Sequence, residues 1–184
     1  MAPPKDTSAP PSPSVGVFSI TRTVIIEAPR ERIWGILLDF PKYNEWNPFA
    51  RGQSLVDKSK KPLGDQTPAP GKYLLISFSM PPTLDPSVKP KPAFEYITNV
   101  DHANYRVSWR NVDMPAWLLW ADRWQSLTEE GDGKVKYETF EVFGGILAYV
   151  VKWFMSGHLE EAFEAMGKGL KERAEKVEPA AEQA

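Results

Sequence analysis

The sequence predicts an α+β domain in which a curved seven-stranded antiparallel sheet wraps around one long C-terminal helix, with two short helices after the first strand. Three observations predict this fold. Segments between residues 50 and 143 alternate with a period near two and are separated by Pro- and Gly-rich turns. Residues 144–176 have helical periodicity over roughly 45 Å. Only a helix of that length covers one apolar face of the whole sheet.

The first strand lies within residues 17–28, which are rich in the β-branched side chains that favour extended structure. Pro29 ends this strand and suits the first turn of a helix over residues 29–40. Pro41 ends that helix, because the residue before a proline avoids the α region. A second helix of one or two turns is predicted before Pro48.

Six further strands are predicted before the long helix. They cover residues 50–57, 72–80, 93–100, 105–112, 122–129 and 134–143. A Gly-Asp-Gly turn at residues 131–133 predicts a tight hairpin between the last two strands. In the long helix, Gly157, Gly167 and Gly169 either let the backbone approach the sheet closely or permit a bend.

Composition excludes several classes of function. The net charge of −2, without a sustained Lys/Arg block, argues against a nucleic-acid partner. The absence of cysteine excludes disulfides, thiolate nucleophiles and Cys-based zinc sites. With only His102 and His158, a His-rich metal site is impossible as well. We therefore expect neither a metal nor a cofactor.

The chain reads as one cytoplasmic domain over residues 15–177. Residues 1–14 are rich in Pro and Ser and predict a disordered arm, and residues 178–184 predict a disordered tail. The most apolar run, residues 142–155, contains Lys152 and is too short to span a bilayer, so stable membrane insertion is not expected. The sequence does not indicate an oligomeric state.

Two segments, residues 19–49 and 122–147, carry a resemblance to a known superfamily. The first contains a strand, Ala-Pro, a helix, Asp-Phe and Trp-Asn-Pro, and the second ends in Glu141, Phe143, Gly145 and Ile146. In this order the motifs resemble the START-like superfamily, also called SRPBCC or helix-grip, and most closely its polyketide cyclase/dehydratase-like subgroup. The resemblance covers about residues 17–172 and implies a cavity between the sheet and the long helix.

At two positions the sequence departs from patterns common in that subgroup. Asp122 stands where one closing-hairpin pattern carries a histidine, and Thr139 stands where another histidine is often found. A histidine-based acid–base mechanism therefore does not transfer directly to this chain.

The catalytic candidates are Arg22, Asp122 and Glu141. The two-residue period of the strands predicts that all three lie on the concave face of the sheet. Because burial of a lone charge is costly, they are expected to pair or to line a wet pocket. One interpretation is a structural ion pair, most plausibly with Arg22. The other is a polar cluster that orients a carbonyl-rich ligand and includes a carboxylate base with a raised pKa.

The ligand-binding candidates are aromatic or polar residues near the expected cavity. They are Tyr43, Trp46, Asn47, Trp109, Trp124, Tyr137 and His158. Tyr43, Trp46 and Asn47 belong to an aromatic segment that forms a gate or floor of the cavity. In the alternative, Trp46 and Phe49 only plug the end of the sheet. His158 is either a helix packing residue or a base.

We predict a small cyclase-like enzyme of secondary metabolism. It would bind a polyketide-like or other apolar carbonyl compound and assist cyclisation or dehydration. The alternative is a non-catalytic carrier or sensor of a lipid-like hydrophobic ligand, and a third possibility is an accessory domain that acts through a protein partner. A convergent carboxylate and arginine in the cavity would favour the enzyme, and a purely apolar lining would favour the carrier.

Overall fold

The structure, a computed structural model, describes residues 2–176 of the 184-residue chain. As predicted, seven antiparallel strands form one sheet, and a long C-terminal helix follows them. The strands are β1 (Phe18–Ile26), β2 (Ala50–Val56), β3 (Tyr73–Phe78), β4 (Lys91–Asp101), β5 (Arg106–Asn111), β6 (Trp120–Gly131) and β7 (Lys134–Gly144). The predicted tail, residues 178–184, and the domain end at residue 177 lie outside the described residues.

The strands lie in the order β1-β7-β6-β5-β4-β3-β2. From β2 to β7 each strand pairs with the next one along the chain, and β1 then pairs with β7. The connection from β1 to β2 must therefore cross the full width of the sheet. That connection contains the two short helices, which close one end of the fold.

The first of these helices is α1 (Arg30–Leu38), and the second is a 3₁₀ turn, Phe40–Glu45. The buried side chains of α1 are Ile33, Trp34 and Leu37. Asp39 separates the two helices, and Pro41, in the first turn of the second, supplies no N–H to continue the first one. Both predicted short helices are thus confirmed. No helix within residues 2–176 is long and apolar enough to span a membrane.

The C-terminal segment, predicted as one helix over residues 144–176, forms two helices. These are α2 (Ala148–Phe154) and α3 (Ser156–Glu175). The first helix begins later than predicted because Gly145 has a φ of +94°. A Cβ atom at this position would lie 2.7 Å from the carbonyl oxygen of Leu118, so the close turn requires glycine.

The break between α2 and α3 is at Met155, where φ is −125° and ψ is −11°. Gly157 follows within one turn and lowers the local helix propensity. Val151 of α2 and Met155 at the break line a cavity over the sheet. The second helix, α3, packs mainly against β1 and contributes Leu159 and Met166 to the same cavity.

The backbone of α3 approaches its neighbours closely at two of the predicted glycines. A Cβ atom at Gly167 would lie 2.8 Å from Val24 of β1, and one at Gly169 would lie 2.3 Å from the carbonyl oxygen of Trp46. The predicted close approach to the sheet is present at Gly167, whereas Gly169 approaches the segment after the 3₁₀ turn and a Cβ atom at Gly157 would have no atom of another segment within 4 Å. The main core fills the space between α3, α1 and the inner face of the sheet.

The outer face of the sheet carries a smaller apolar cluster. Its members are Trp120, Trp124, Phe140 and Val142, with Val15 packed against them. Residues preceding Val15 run along this face, where the carbonyl oxygen of Pro4 accepts a hydrogen bond from Arg110 at 2.8 Å. The carbonyl oxygen of Thr7 accepts another from Asn99 at 2.9 Å. A disordered arm over residues 1–14 stays a prediction.

Candidate active site

A cavity of about 280 Å³ lies between the inner face of the sheet and the C-terminal helices. Each strand from β2 to β7 contributes side chains to its wall, and Val151, Leu159 and Met166 close it from the helices. The volume is near the lower end of the roughly 300–1,000 Å³ that is typical of small-molecule sites. The cavity therefore suits a compact ligand.

Most of the side chains that line the cavity are apolar. The polar ones are Gln53, Glu95, Asn111, Asp113, Arg123 and Glu141. Charged side chains are uncommon in such an apolar enclosure because their desolvation is costly. This polar group is therefore the part of the wall where chemistry is to be expected.

Glu141 on β7 lies opposite Arg123 on β6 in the strand ladder, so both side chains point to the inner face. Burial raises the pKa of Glu141 to about 7, although the positive charge of Arg123 acts in the opposite direction. The negative charge of Asp122 adds a smaller increase. Near neutral pH both protonation states of Glu141 are populated, which suits a group that accepts and returns a proton.

Glu95 on β4 is the second carboxyl group of the wall. Burial raises its pKa well above the usual value, and the charge of Glu141 raises it further. A hydrogen bond donated by Asn111 Nδ2 to Glu95 Oε1, at 3.1 Å, acts in the opposite direction. The environment therefore favours the protonated form of Glu95, a form that carries an O–H donor.

The guanidinium group of Arg123 stacks over the Phe163 ring, with Cζ 4.0 Å from the ring centroid. Its Nη2 atom donates to Met166 Sδ at 3.2 Å, a weak acceptor. The Nε atom is buried and has no hydrogen-bond partner among residues 2–176. The cation thus packs against an aromatic ring and a thioether, and its charge acts on the Glu141 and Glu95 carboxyl groups.

Together these groups can perform acid–base chemistry without a metal. A carboxyl group with a pKa near 7, a second one favoured in its protonated form, and a guanidinium share one wall. Two carboxyl groups with different pKa values are a common basis for separate acid and base roles. In the described part of the chain, no cluster of three or more His, Asp or Glu side chains is placed to hold a metal ion.

Glu141 and Trp109 line the cavity, where the sequence analysis placed them. Asp122 and Trp124 share a face as predicted, but this is the outer face, and that prediction was wrong. Asp122 lies opposite Val142 in the ladder, and its two carboxylate oxygens accept hydrogen bonds from Arg110 at 2.5 and 2.7 Å. The Asp122 carboxylate is therefore part of a largely buried ion pair on the outer face of the sheet and not of the cavity.

The physical reason is a register shift in the β6–β7 hairpin next to Gly131. Without this shift, the pairing of Gly131 with Lys134 would place Glu141 opposite Trp124 and on the same face as Asp122. With it, Glu141 lies opposite Arg123. A slip of one residue exchanges the two faces of a strand, which is what distinguishes the observed site from the predicted one.

Arg22 lies on the inner side of β1 but does not reach the cavity carboxyl groups. Its guanidinium pairs with Glu160 of α3 at 2.5 Å, and both side chains are partly exposed. The predicted ion pair of Arg22 with Asp122 or Glu141 is not present, since α3 supplies a nearer carboxylate.

Four predicted ligand-binding residues are packed in the core, away from the cavity wall. They are Tyr43, Trp46, Asn47 and Tyr137. The Tyr43 hydroxyl donates to the carbonyl oxygen of Leu37 at 2.7 Å, and the Tyr137 hydroxyl donates to Gln125 Oε1 at the same distance. Asn47 Oδ1 accepts from two backbone N–H groups that follow it. These contacts pair both tyrosine hydroxyls and Asn47 Oδ1 within the core, while Asn47 Nδ2 and Gln125 Nε2 are buried without a hydrogen-bond partner among residues 2–176.

The other two predicted ligand-binding residues point away from the cavity. Trp124 belongs to the outer apolar cluster, and the side chain of His158 is 64% exposed beside Glu161. Sequence reasoning missed five polar residues of the wall, which are Gln53, Glu95, Asn111, Asp113 and Arg123. Alternation along β4 places Glu95 with Ile97 on the inner face, which was a usable signal. For Arg123 the only signal was the register of the hairpin.

Replacement of Asp122 should affect stability and not the cavity. Burial raises the pKa of Asp122 although Arg110 donates two hydrogen bonds to it, so the pair contributes little net stability. Asp122→Asn leaves a partly buried guanidinium without its counter-charge, and we expect a loss of about 1–3 kcal/mol in urea unfolding. Arg110→Met combined with Asp122→Leu should recover much of it. Full stability of the single variant would contradict the ion-pair assignment.

Stability should depend on pH through Glu141. Its pKa is near 7 in the folded protein and near 4.5 in the unfolded chain, so between these values the folded state binds more protons. The free energy of unfolding should therefore fall as pH rises from about 4.5 to 7 and then level off. Relative to Glu141→Gln, we expect a change of about 3 kcal/mol across this window. If the difference in the free energy of unfolding between the two proteins, measured in urea, is the same at every pH, the raised pKa of Glu141 is refuted.

No protein-family model matches the chain. The chain is 27% identical, over 168 residues, to "Oxopyrrolidines biosynthesis cluster protein O" of Penicillium oxalicum, which covers 79% of this chain and 80% of that protein.

Two solved structures show the likeness of the fold. The Zhui aromatase/cyclase of Streptomyces sp. R1128 has a TM-score of 0.67 at 12% identity, over 90% of this chain and 98% of that one. A START superfamily protein from Mycobacterium smegmatis has a TM-score of 0.57 at 16% identity, over 85% and 97% of the two chains. The chain therefore shares the fold of these two proteins, a helix-grip arrangement of a curved antiparallel sheet and a long C-terminal helix.

Proposed function

We propose that this protein is a small cyclase-like enzyme of secondary metabolism. It binds a compact, apolar carbonyl compound, polyketide-like or related, in the internal cavity and assists its cyclisation and dehydration. One observation carries the proposal. Glu141, with a pKa of about 7, lies in an apolar cavity opposite the buried guanidinium of Arg123.

The proposed reaction begins with an α-proton of the bound carbonyl compound. The Glu141 carboxylate takes this proton, and the resulting enolate carbon forms a bond with a second carbonyl carbon of the same molecule. The alkoxide formed there takes the proton back from Glu141. Glu141 then removes a second α-proton. The hydroxyl group leaves and takes this proton from Glu141, which releases water and leaves a ring with a new C=C bond. No electron donor or acceptor is required.

Two other groups assist these steps. The positive charge of Arg123 stabilises the negative charge on the enolate and alkoxide oxygens. This electrostatic stabilisation is larger in a cavity of low polarity than in water. Glu95, favoured in its protonated form, donates a hydrogen bond to a carbonyl oxygen. The apolar wall holds the chain of the ligand in a folded conformation and excludes water.

The comparisons support this class of function through the names of the similar proteins. One is a protein of an oxopyrrolidines biosynthesis cluster, and one is an aromatase/cyclase. Both names concern the formation of cyclic small molecules. A cytoplasmic location stays a prediction.

A carrier or sensor of a hydrophobic ligand is the second candidate, because most of the lining is apolar. It predicts binding without turnover. A convergent carboxylate and arginine in the cavity favour an enzyme over a carrier, and Glu141 and Arg123 both line the cavity. The arginine is Arg123 and not the expected Arg22.

The experiment is a turnover assay with 1-phenylhexane-1,5-dione, which gives 3-phenylcyclohex-2-enone after aldol ring closure and loss of water. We expect the protein to accelerate formation of the enone, with a rate that rises with pH through about 7 as Glu141 ionises. Glu141→Gln should lower the rate by about 100-fold or more, the usual contribution of a general base. Asp122→Asn, on the outer face, should retain the rate per folded protein.

Two outcomes would count against the enzyme. If tryptophan fluorescence shows that the diketone binds but formation of the enone is not accelerated, the result supports the carrier. Equal rates for the wild-type protein and Glu141→Gln would remove the assigned base.

A further inference from the structure

The carboxamide of Gln53 is an unpaired polar group in the cavity wall. Gln53 lies on the inner face of β2 and is 5% exposed. Its Oε1 atom is buried without a hydrogen-bond partner, and the side chain makes no hydrogen bond within residues 2–176. A buried amide without partners costs free energy, so a native structure that keeps one calls for an explanation.

The neighbours of Gln53 do not satisfy its side chain. Asn111 is already bonded to Glu95, and the cross-strand neighbour of Gln53 is the apolar Ile76. Further along the same wall, Arg123 Nε is also buried without a partner. In this wall Gln53 and Arg123 thus each keep one buried polar atom without a hydrogen-bond partner in the described part of the chain, the Oε1 acceptor and the Nε–H donor.

We propose that the cavity binds ligands that carry an N–H donor next to a carbonyl acceptor, that is, a secondary amide or a lactam on an apolar body. Such a group forms two hydrogen bonds with the Gln53 carboxamide, whichever way that amide is turned, because it has the same donor–acceptor pair. A plain ketone leaves the Gln53 acceptor unpaired. This inference rests on the proposed function, since it names the substrate class of the same cavity.

Three probes of nearly equal shape test the inference. They are 4-phenylpyrrolidin-2-one, its N-methyl derivative and 3-phenylcyclopentanone. Binding is followed by calorimetry and by the fluorescence of Trp109, which lies in the wall. We expect the lactam to bind about tenfold or more tightly than the other two, since a site with a buried polar group rejects analogues that leave it unpaired.

Two variants locate the preference. Gln53→Leu should reduce the ratio of lactam to ketone affinity to about one, with ketone binding kept. Ser54→Ala, at the next position of the same strand, should leave the ratio unchanged. Equal affinity of all three probes for the wild-type protein would overturn the inference alone. If none of the three binds, the cavity is not a ligand site, and the proposed function fails with it.

A second, independent observation concerns the surface of α2. Its outward residues are large and apolar, and its own charged residue is Lys152. The exposed side chains are Ile146 (63%), Tyr149 (60%), Val150 (51%), Trp153 (81%) and Phe154 (76%). Trp117, 64% exposed, is adjacent, because its carbonyl oxygen accepts a hydrogen bond from the N–H of Ile146 at 3.2 Å.

The size of this surface, which we call the α2 patch, matches what a stable dimer needs. Each of its four aromatic side chains offers roughly 150–250 Å² when bare, so at these exposures they present on the order of 550 Å². Ile146 and Val150 bring the total to about 700 Å². A stable complex buries about 800 Å² per partner, whereas monomers seldom expose so large an apolar patch.

We propose that the α2 patch pairs with the same patch of a second copy about a two-fold axis. Such an interface buries identical surfaces and closes without forming a filament. Val151 and Met155 of the same segment line the cavity, so the partner copy covers the helix that closes the cavity on this side.

Sedimentation velocity from about 1 to 100 μM tests the dimer. We expect the wild-type protein to sediment as a dimer at the upper concentrations and Trp153→Glu as a monomer with an unchanged circular dichroism spectrum. Ile25→Glu, which places the same charge at an exposed apolar position of β1, should remain dimeric. A wild-type monomer at every concentration would overturn the proposal. So would a monomer that co-sediments with phosphatidylcholine vesicles, which would assign the patch to a lipid surface.

Discussion

The register of the β6–β7 hairpin is the constraint on which the candidate site depends. A shift of one residue beside Gly131 turns Arg123 and Glu141 into the cavity and Asp122 onto the outer face. Every pairing further along the two strands inherits this choice. The same shift therefore places the polar group of Arg123 and Glu141 in an apolar cavity and the Arg110–Asp122 ion pair on the outer face of the sheet.

The charged side chains on the two faces of the sheet differ in how fully they are paired. Outside, Asp122 receives two hydrogen bonds from Arg110, so its charge is matched by a partner. Inside, Arg123 Nε is buried without a hydrogen-bond partner among residues 2–176, and burial raises the pKa of Glu141 to about 7 although Arg123 acts in the opposite direction. Buried polar groups without full compensation reduce stability, and such groups are enriched at functional sites.

The aromatic segment after α1 has a structural role that makes this cavity possible. Tyr43 and Trp46 pack together, with ring centroids 4.6 Å apart, and the backbone of Trp46 meets α3 at Gly169. Asn47 holds the turn into β2 through its side-chain oxygen. Of the residues in this segment, Phe49 reaches the cavity wall. The segment is therefore chiefly a plug at one end of the sheet, and the cavity lies beyond it.

The sequence by itself determined the number, order and approximate limits of the strands, because alternation, prolines and glycines are local signals. It also placed Glu141 and Trp109 in the cavity through their parity with apolar neighbours. Only the tertiary structure decided which side of β6 faces inward, because a single bulge reverses that choice and leaves no periodic signal. It likewise decided that Arg22 pairs with Glu160 and that Gln53 stays unpaired, since partners from distant segments are set by packing and not by spacing.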